Sequence, residues 1–281
     1  MGADSPFRRL LKRALAPVLT EATYSSIQAI AKARDIQSGS WTEPELELCR
    51  LVLREGDSAI DIGANFGVWS YHMSRAVGSA GHVYAFEPIP FTARTFRKVA
   101  KRLGFTRNVR LFEAGCGEKA EEIEFTVPVM DSGAISAGLV HMGRNDARPG
   151  KEIHARFDKT KTIRAQVVAI DEVLPDIERL TLLKCDIEGA DLFAMRGAAR
   201  TIERHKPVVV IEITPWFLEG FGLKVSDVTD FFDAFGYGCY HFDDDGRLTP
   251  ASKDTIVEDN WVFVHPDRHD RLAPAFATRK D

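Results

Sequence analysis

From Asp57 onward the chain alternates short, β-branched apolar runs with stretches that carry apolar residues at helical spacing, and that rhythm requires a mostly parallel sheet covered by helices. Ser58 to Asp61, Val83 to Glu87, Val109 to Ala114, Leu180 to Asp186 and Pro207 to Ile213 read as strands. Between the second and third, Phe96, Val99, Ala100 and Leu103 share one helical face, and Gly104 ends that helix. A single helix is expected from about Asp191 to His205. Two more strands, Tyr237 to Phe242 and Asn260 to His265, flank the turn-forming Asp243-Asp244-Asp245-Gly246.

The rhythm lapses at about residues 121–171, where strand-like Glu122 to Val127 and Ile163 to Ile170 enclose a loop rich in Ser and Gly. This span reads as an insertion in one domain covering residues 41–281, which opens with a helix starting near Thr42 and Pro44. Residues 1–40 read as a helical extension, basic and amphipathic, with Phe7, Leu10, Leu11, Ala14, Leu15 and Val18 opposed by Arg8, Arg9, Lys12 and Arg13. Such a helix packs on its own domain or on a second subunit of a homodimer, and this is the favoured expectation. The alternative is peripheral contact of residues 5–18 with an anionic membrane surface.

Composition narrows the partners. A net charge of −4 lacks the basic excess that nucleic-acid phosphates demand. No apolar run approaches the roughly 20 residues of a membrane span. The four cysteines are widely spaced and form no Cys-x-x-Cys pair, which suits a reducing, cytoplasmic setting.

The end of the first strand carries Asp61-Ile-Gly-Ala-Asn-Phe-Gly67, a glycine-rich turn, and the end of the second carries Glu87 followed by Pro88. An acid at Glu87 is placed to accept hydrogen bonds from the ribose hydroxyls of an adenosine ligand. The turn lacks the Gly-x-Gly-x-x-Gly spacing that meets a pyrophosphate, and Asp61 would repel one. A carboxylate there instead suits the amino group or the sulfonium of S-adenosylmethionine. Two other readings stay open: a nicotinamide-dependent oxidoreductase, and a non-catalytic interaction module of the same fold.

Together, Asp61 to Gly67, Ala85-Phe-Glu-Pro88 and Leu183-Lys-Cys-Asp-Ile-Glu-Gly-Ala-Asp191 resemble the FkbM-type methyltransferase family, over roughly Trp41 to His265. The resemblance implies a class I methyltransferase fold, an α/β Rossmann-like sheet of seven strands with the last antiparallel and helices on both faces. It further implies S-adenosyl-L-methionine as donor, and transfer to a hydroxyl of a small sugar-containing or natural-product acceptor. The donor-binding set is then Asp61, Gly63, Ala64, Asn65, Phe66, Gly67, Ser70, Glu87, Pro88 and Cys116, with Ala114 to Gly117 near adenine.

Asp186 and Glu188, at the end of the fourth strand, are the expected catalytic pair, because methyl transfer to a hydroxyl needs a group that orients the oxygen and accepts its proton. If the backbone stays extended there, the two carboxylates share a side. Glu212 could join them around a divalent metal, but a metal-free base is the expectation. The plainer readings are that Asp186 caps the next helix and that Glu188 bonds to backbone amides or pairs with Lys184. His141 and His154 carry no assigned role, and Asp131 to Ser136 suits a lid over the donor.

Overall fold

The computed structural model describes residues 20–129, 141–142, 159–243, 246–252, 256–257 and 259–276. The expectations for the basic helix of residues 5–18, the lid at 131–136 and His154 lie outside them, and of His141 only the backbone is described.

Helix α1 (Glu21–Gln37), a 3-10 turn (Pro44–Leu46) and α2 (Glu47–Val52) precede β1 (Ser58–Ile62), α3 (Val68–Val77), β2 (His82–Phe86), α4 (Pro90–Leu103) and β3 (Val109–Phe112). Then come β4 (Gly115–Cys116), β5 (Glu121–Val129), β6 (His141–Met142), β7 (Lys159–Val168) and α5 (Ile170–Val173). The rhythm resumes with β8 (Leu180–Cys185), α6 (Asp191–Arg196), α7 (Ala199–His205), β9 (Val208–Ile213), α8 (Pro215–Gly220) and α9 (Val225–Ala234). Strands β10 (Gly238–Phe242), β11 (Leu248–Pro250) and β12 (Asp259–Val264), then α10 (His269–Phe276), complete it.

The main sheet has eight strands in the order β11-β10-β12-β9-β8-β1-β2-β3. Strands β9, β8, β1, β2 and β3 are mutually parallel, and β12 runs antiparallel to β9. The eighth strand is an addition to the seven expected: β11 pairs with β10 beyond the Asp243 to Gly246 turn and buries Leu248. Strand order reverses at β1, whose neighbours are β2 and β8, so a crevice opens at the C-terminal ends of these strands.

Alternation along the central strands sends side chains into two cores. Ala59, Val83, Ala85, Leu182 and Val210 meet Met73 of α3, Phe96 of α4, Leu48 of α2 and Leu272 of α10. Ile60, Ile62, Leu183, Cys185 and Ile211 meet Leu192 and Met195 of α6, Ile202 of α7 and Phe232 of α9. Helix α1 joins the first core through Ala29, Ala33 and Ile36 and lies along α4, with the Ser25 and Thr95 hydroxyls 2.9 Å apart.

The span read as an insertion forms a second sheet, β4-β7-β5-β6, in which β5 and β7 run antiparallel from Glu121 opposite Val167 to Val129 opposite Lys159. Ala165, Ile123 and Ile163 of this arm pack on Tyr24, Ile89 and Phe91, just past Glu87. The single helix expected from Asp191 to His205 is two. A side chain at Gly197 would lie 1.9 Å from the Gly117 carbonyl oxygen, so the chain breaks there to let the two backbones meet.

Candidate active site

Three residues with left-handed backbone, Gly63 (φ 76°), Asn65 (φ 49°) and Gly67 (φ 90°), shape the turn from β1 into α3. Asn is among the few side chains that tolerate this region, which explains an Asn where a glycine might be looked for. Gly63 and Ala64 donate their N–H groups to the Phe86 carbonyl at 3.0 and 2.9 Å, and Gly67 donates to Ala64 at 2.8 Å. The Asn65 N–H goes to Glu87 Oε2 at 3.0 Å. With these amides committed internally, the turn does not present the nest of free donors that a pyrophosphate needs, which weakens the dinucleotide reading.

Asp61 is fully buried, and its Oδ2 accepts a hydrogen bond from the Ser70 hydroxyl at 2.6 Å. Its Oδ1, like Oδ1 of Asn65, is buried without a hydrogen-bond partner among the described residues. Orphaned buried acceptors are costly and call for an explanation, and a ligand that brings donors supplies one. Burial raises the Asp61 carboxyl above its ordinary value, opposed by Lys184 and by Ser70.

Glu87 is 6 % exposed, so it is not a solvated acid at a helix start. Besides the Asn65 amide it accepts the Ile89 N–H on Oε1 at 2.9 Å, across Pro88, and burial pushes its carboxyl up to about 7. Phe66 turns away from this cluster: its ring meets Trp41 edge-on at 6.4 Å, and the Lys32 ammonium sits 4.2 Å from the Trp41 ring centre and 5.2 Å from that of Phe66. That cation-π contact ties α1 to the turn. Cys116 lies in the second core with Ile62, Phe86 and Cys185, its thiol raised by burial.

Strand β8 stops at Cys185, one residue earlier than expected, although the Asp186 N–H still reaches the Ile62 carbonyl at 3.2 Å. The shared-side argument for Asp186 and Glu188 fails, because Glu188 has a left-handed backbone (φ 59°) followed by Gly189 at φ 92°. Asp191, 1 % exposed, holds that turn by accepting the Ile187 and Gly189 N–H groups at 3.1 and 2.9 Å. Asp186 does not cap α6, whose N-cap residue is Ala190. Its Oδ2 instead accepts from the Lys184 ammonium at 3.2 Å. Glu212, at the end of the adjacent β9, is pushed up to about 9 by burial, by the charges of Asp186, Asp191 and Glu188, and by a hydrogen bond with Asp186. Near neutral pH Glu212 therefore keeps its proton.

Asp61, Asn65, Ser70, Glu87 and Asp186 thus converge on one crevice with Glu212 beside them, whereas Phe66 and Cys116 contribute to packing around it. Sequence reading missed the parts played by Lys184 and Asp191. A lysine inside the apolar run Leu180 to Cys185 was the available signal, since a charge in a central strand is expensive unless paired. Among the described residues, no group of three or more His, Cys, Asp or Glu side chains is arranged to hold a metal, and no helix is long and apolar enough to cross a membrane.

Comparison with known proteins finds methyltransferases. The chain is 26% identical over 143 residues to Methyltransferase 1 of Beauveria bassiana, covering 49% of this chain and 57% of that protein. It is 27% identical over 201 residues to Methyltransferase sdnD of Sordaria araneosa, covering 64% of this chain and 75% of the relative. Among solved structures, the FkbM methyltransferase of Methylobacillus flagellatus aligns with a TM-score of 0.45 at 18% identity, over 92% of this chain and 59% of that one. The Methyltransferase FkbM domain family matches residues 61–239, from the carboxylate of β1 into β10, and the chain belongs to this family.

Proposed function

We propose that this chain transfers the methyl group of S-adenosylmethionine to a hydroxyl of a small sugar-containing or natural-product acceptor. The observation that carries the donor half is the pair of buried acceptors without partners among the described residues, Asp61 Oδ1 and Asn65 Oδ1, beside the buried Glu87. Asp61 would hold the donor's amino group, and Asn65 with Glu87 its ribose hydroxyls. The donor supplies a methyl group on a positively charged sulfur, open to displacement by an oxygen. Dinucleotides fit the same residues poorly, since the Gly63, Ala64, Asn65 and Gly67 amides are already committed within the chain.

Asp186 supplies the acceptor half. Its side chain is 43% exposed while that of Lys184 is 4% exposed, so the carboxylate is anchored from below and open to the crevice. It orients the acceptor hydroxyl and takes its proton as the oxygen gains the methyl group. Because the Lys184 ammonium already stands 3.2 Å from Asp186 Oδ2, that carboxylate has its cation, which favours a base that works without metal. Half-buried Trp216 and Phe217, after β9, offer flat apolar surface suited to a sugar ring, with Phe217 packed on Gly189.

The reading is tested with methyl-labelled donor and a panel of sugar and natural-product hydroxyls, scored for a new O-methyl ether. Asp186→Asn should bind donor as the wild type does and lose roughly 100-fold or more of the transfer rate. An acceptor methylated on nitrogen or carbon alone, or full activity in Asp186→Asn, would overturn it.

A further inference from the structure

Lys184 is 3 % exposed and, among the described residues, is the one buried lysine or arginine. It stands opposite Asp61 across the β1/β8 pairing and donates to Asp186, so Asp186 pairs with the ammonium directly while the charge of Asp61 acts on it from the neighbouring strand. Glu43, which accepts the Trp69 indole N–H at 2.7 Å, faces it from the segment before the 3-10 turn. Glu87 faces it from the end of β2, and Cys185 stands beside it on β8. Asp61 also faces Asp186, Glu87 and Cys49 of α2, and Asp186 also faces Glu212 and Asp191. Burial alone would strip a lysine of its charge; here Asp186, Asp61 and Glu43 more than offset it and hold Lys184 above the ordinary lysine value.

An ion pair with Asp186 alone would be an ordinary structural bridge. The opposite strand argues for more: Asp61 is 0 % exposed, its side chain is held by Ser70 through both the hydroxyl and the backbone N–H, and the charge that favours its ionised form is Lys184. We propose that Lys184 is a positioning residue shared by the two halves of the site, the counter-ion of Asp61 on the donor side and the anchor of Asp186 on the acceptor side. This rests on the donor and acceptor roles given to Asp61 and Asp186 above. Without the ammonium, Asp61 takes up a proton that it must release before the donor's amino group binds.

Calorimetric titration of S-adenosylhomocysteine into the full chain, between pH 7.5 and 9, separates the possibilities. Relative to wild type at each pH, Lys184→Met should bind at least about tenfold more weakly at the lower end and recover toward the upper, releasing a proton on binding. Lys184→Arg, which keeps the charge, should stay within about threefold of wild type. A variant-to-wild-type ratio that does not change with pH, or undiminished binding by Lys184→Met, overturns the shared role while wild-type binding leaves the donor reading standing. Absence of wild-type binding overturns both. Thermal unfolding gives a second readout: Asp61→Asn should recover part of the stability that Lys184→Met loses, and a loss left unchanged or deepened contradicts the claim.

Discussion

Gly63 and Asp186 meet backbone to backbone: a Cβ on Gly63 would lie 2.1 Å from the Asp186 carbonyl oxygen. The turn after β1 and the turn after β8 are thus pressed together at the sheet's switch point. In the structure the space at Gly63 is taken by the chain itself.

Gly63→Ala should therefore cost at least about 2 kcal/mol of stability, since it combines a left-handed backbone with a clash against fixed main chain. Donor affinity should fall with it. Equilibrium denaturation checks the first and titration the second. A variant as stable as wild type would show that the two turns are free to separate.

On the proposed ribose-holding role of Glu87, donor binding depends on pH. Burial sets its carboxyl at about 7, and the ionised form is the one that accepts hydroxyl donors on both oxygens beyond the Asn65 and Ile89 amides. Below pH 7 a proton must leave before the ribose binds, so affinity should fall by up to about tenfold per pH unit. Titrations between pH 5.5 and 7.5 should show this slope in the wild type and a flat, weaker response in Glu87→Gln. An equal slope in the variant would place the titrating group elsewhere.

What was legible in the sequence was whatever depends on short range. The β-branched runs appear as strands within a residue or two, and Asp61, Ser70 and Glu87 reach one crevice because parallel strands deliver their C-terminal ends to the same edge. What was not legible depends on contacts between distant segments. The break between α6 and α7 comes from Gly117 meeting Gly197, some eighty positions on. Glu188 leaves the extended line because Asp191 gathers the Ile187 and Gly189 amides into a tight turn. Helix α1 lies within the helical extension read over residues 1–40, but its own bounds were not legible because its inner face is built of Ser25, Ala29 and Ala33, too small to leave a strong apolar stripe, and it is α4 that gives those residues a partner.

Glu212 carries a stability signature. Its carboxyl is near 4.5 when unfolded and raised to about 9 when folded, so its contribution is complete below 4.5 and is lost as pH climbs through 9. Glu212→Gln keeps a hydrogen-bond donor toward Asp186 and removes the proton that must be lost. Urea unfolding at pH 5, 7 and 9 should show the variant gaining on the wild type at each step. A difference that stays constant, or shrinks as pH rises, contradicts a protonated Glu212.

Asp61 is proposed as the buried anchor of the donor, and calorimetric titration of S-adenosylhomocysteine into wild type and Asp61→Asn at pH 7.5 tests that role most directly. The prediction is one site per chain in the wild type and at least about tenfold weaker binding in the variant, which keeps the shape of the side chain and loses its charge. A wild-type chain that does not bind, or an Asp61→Asn chain that binds equally well, would contradict it.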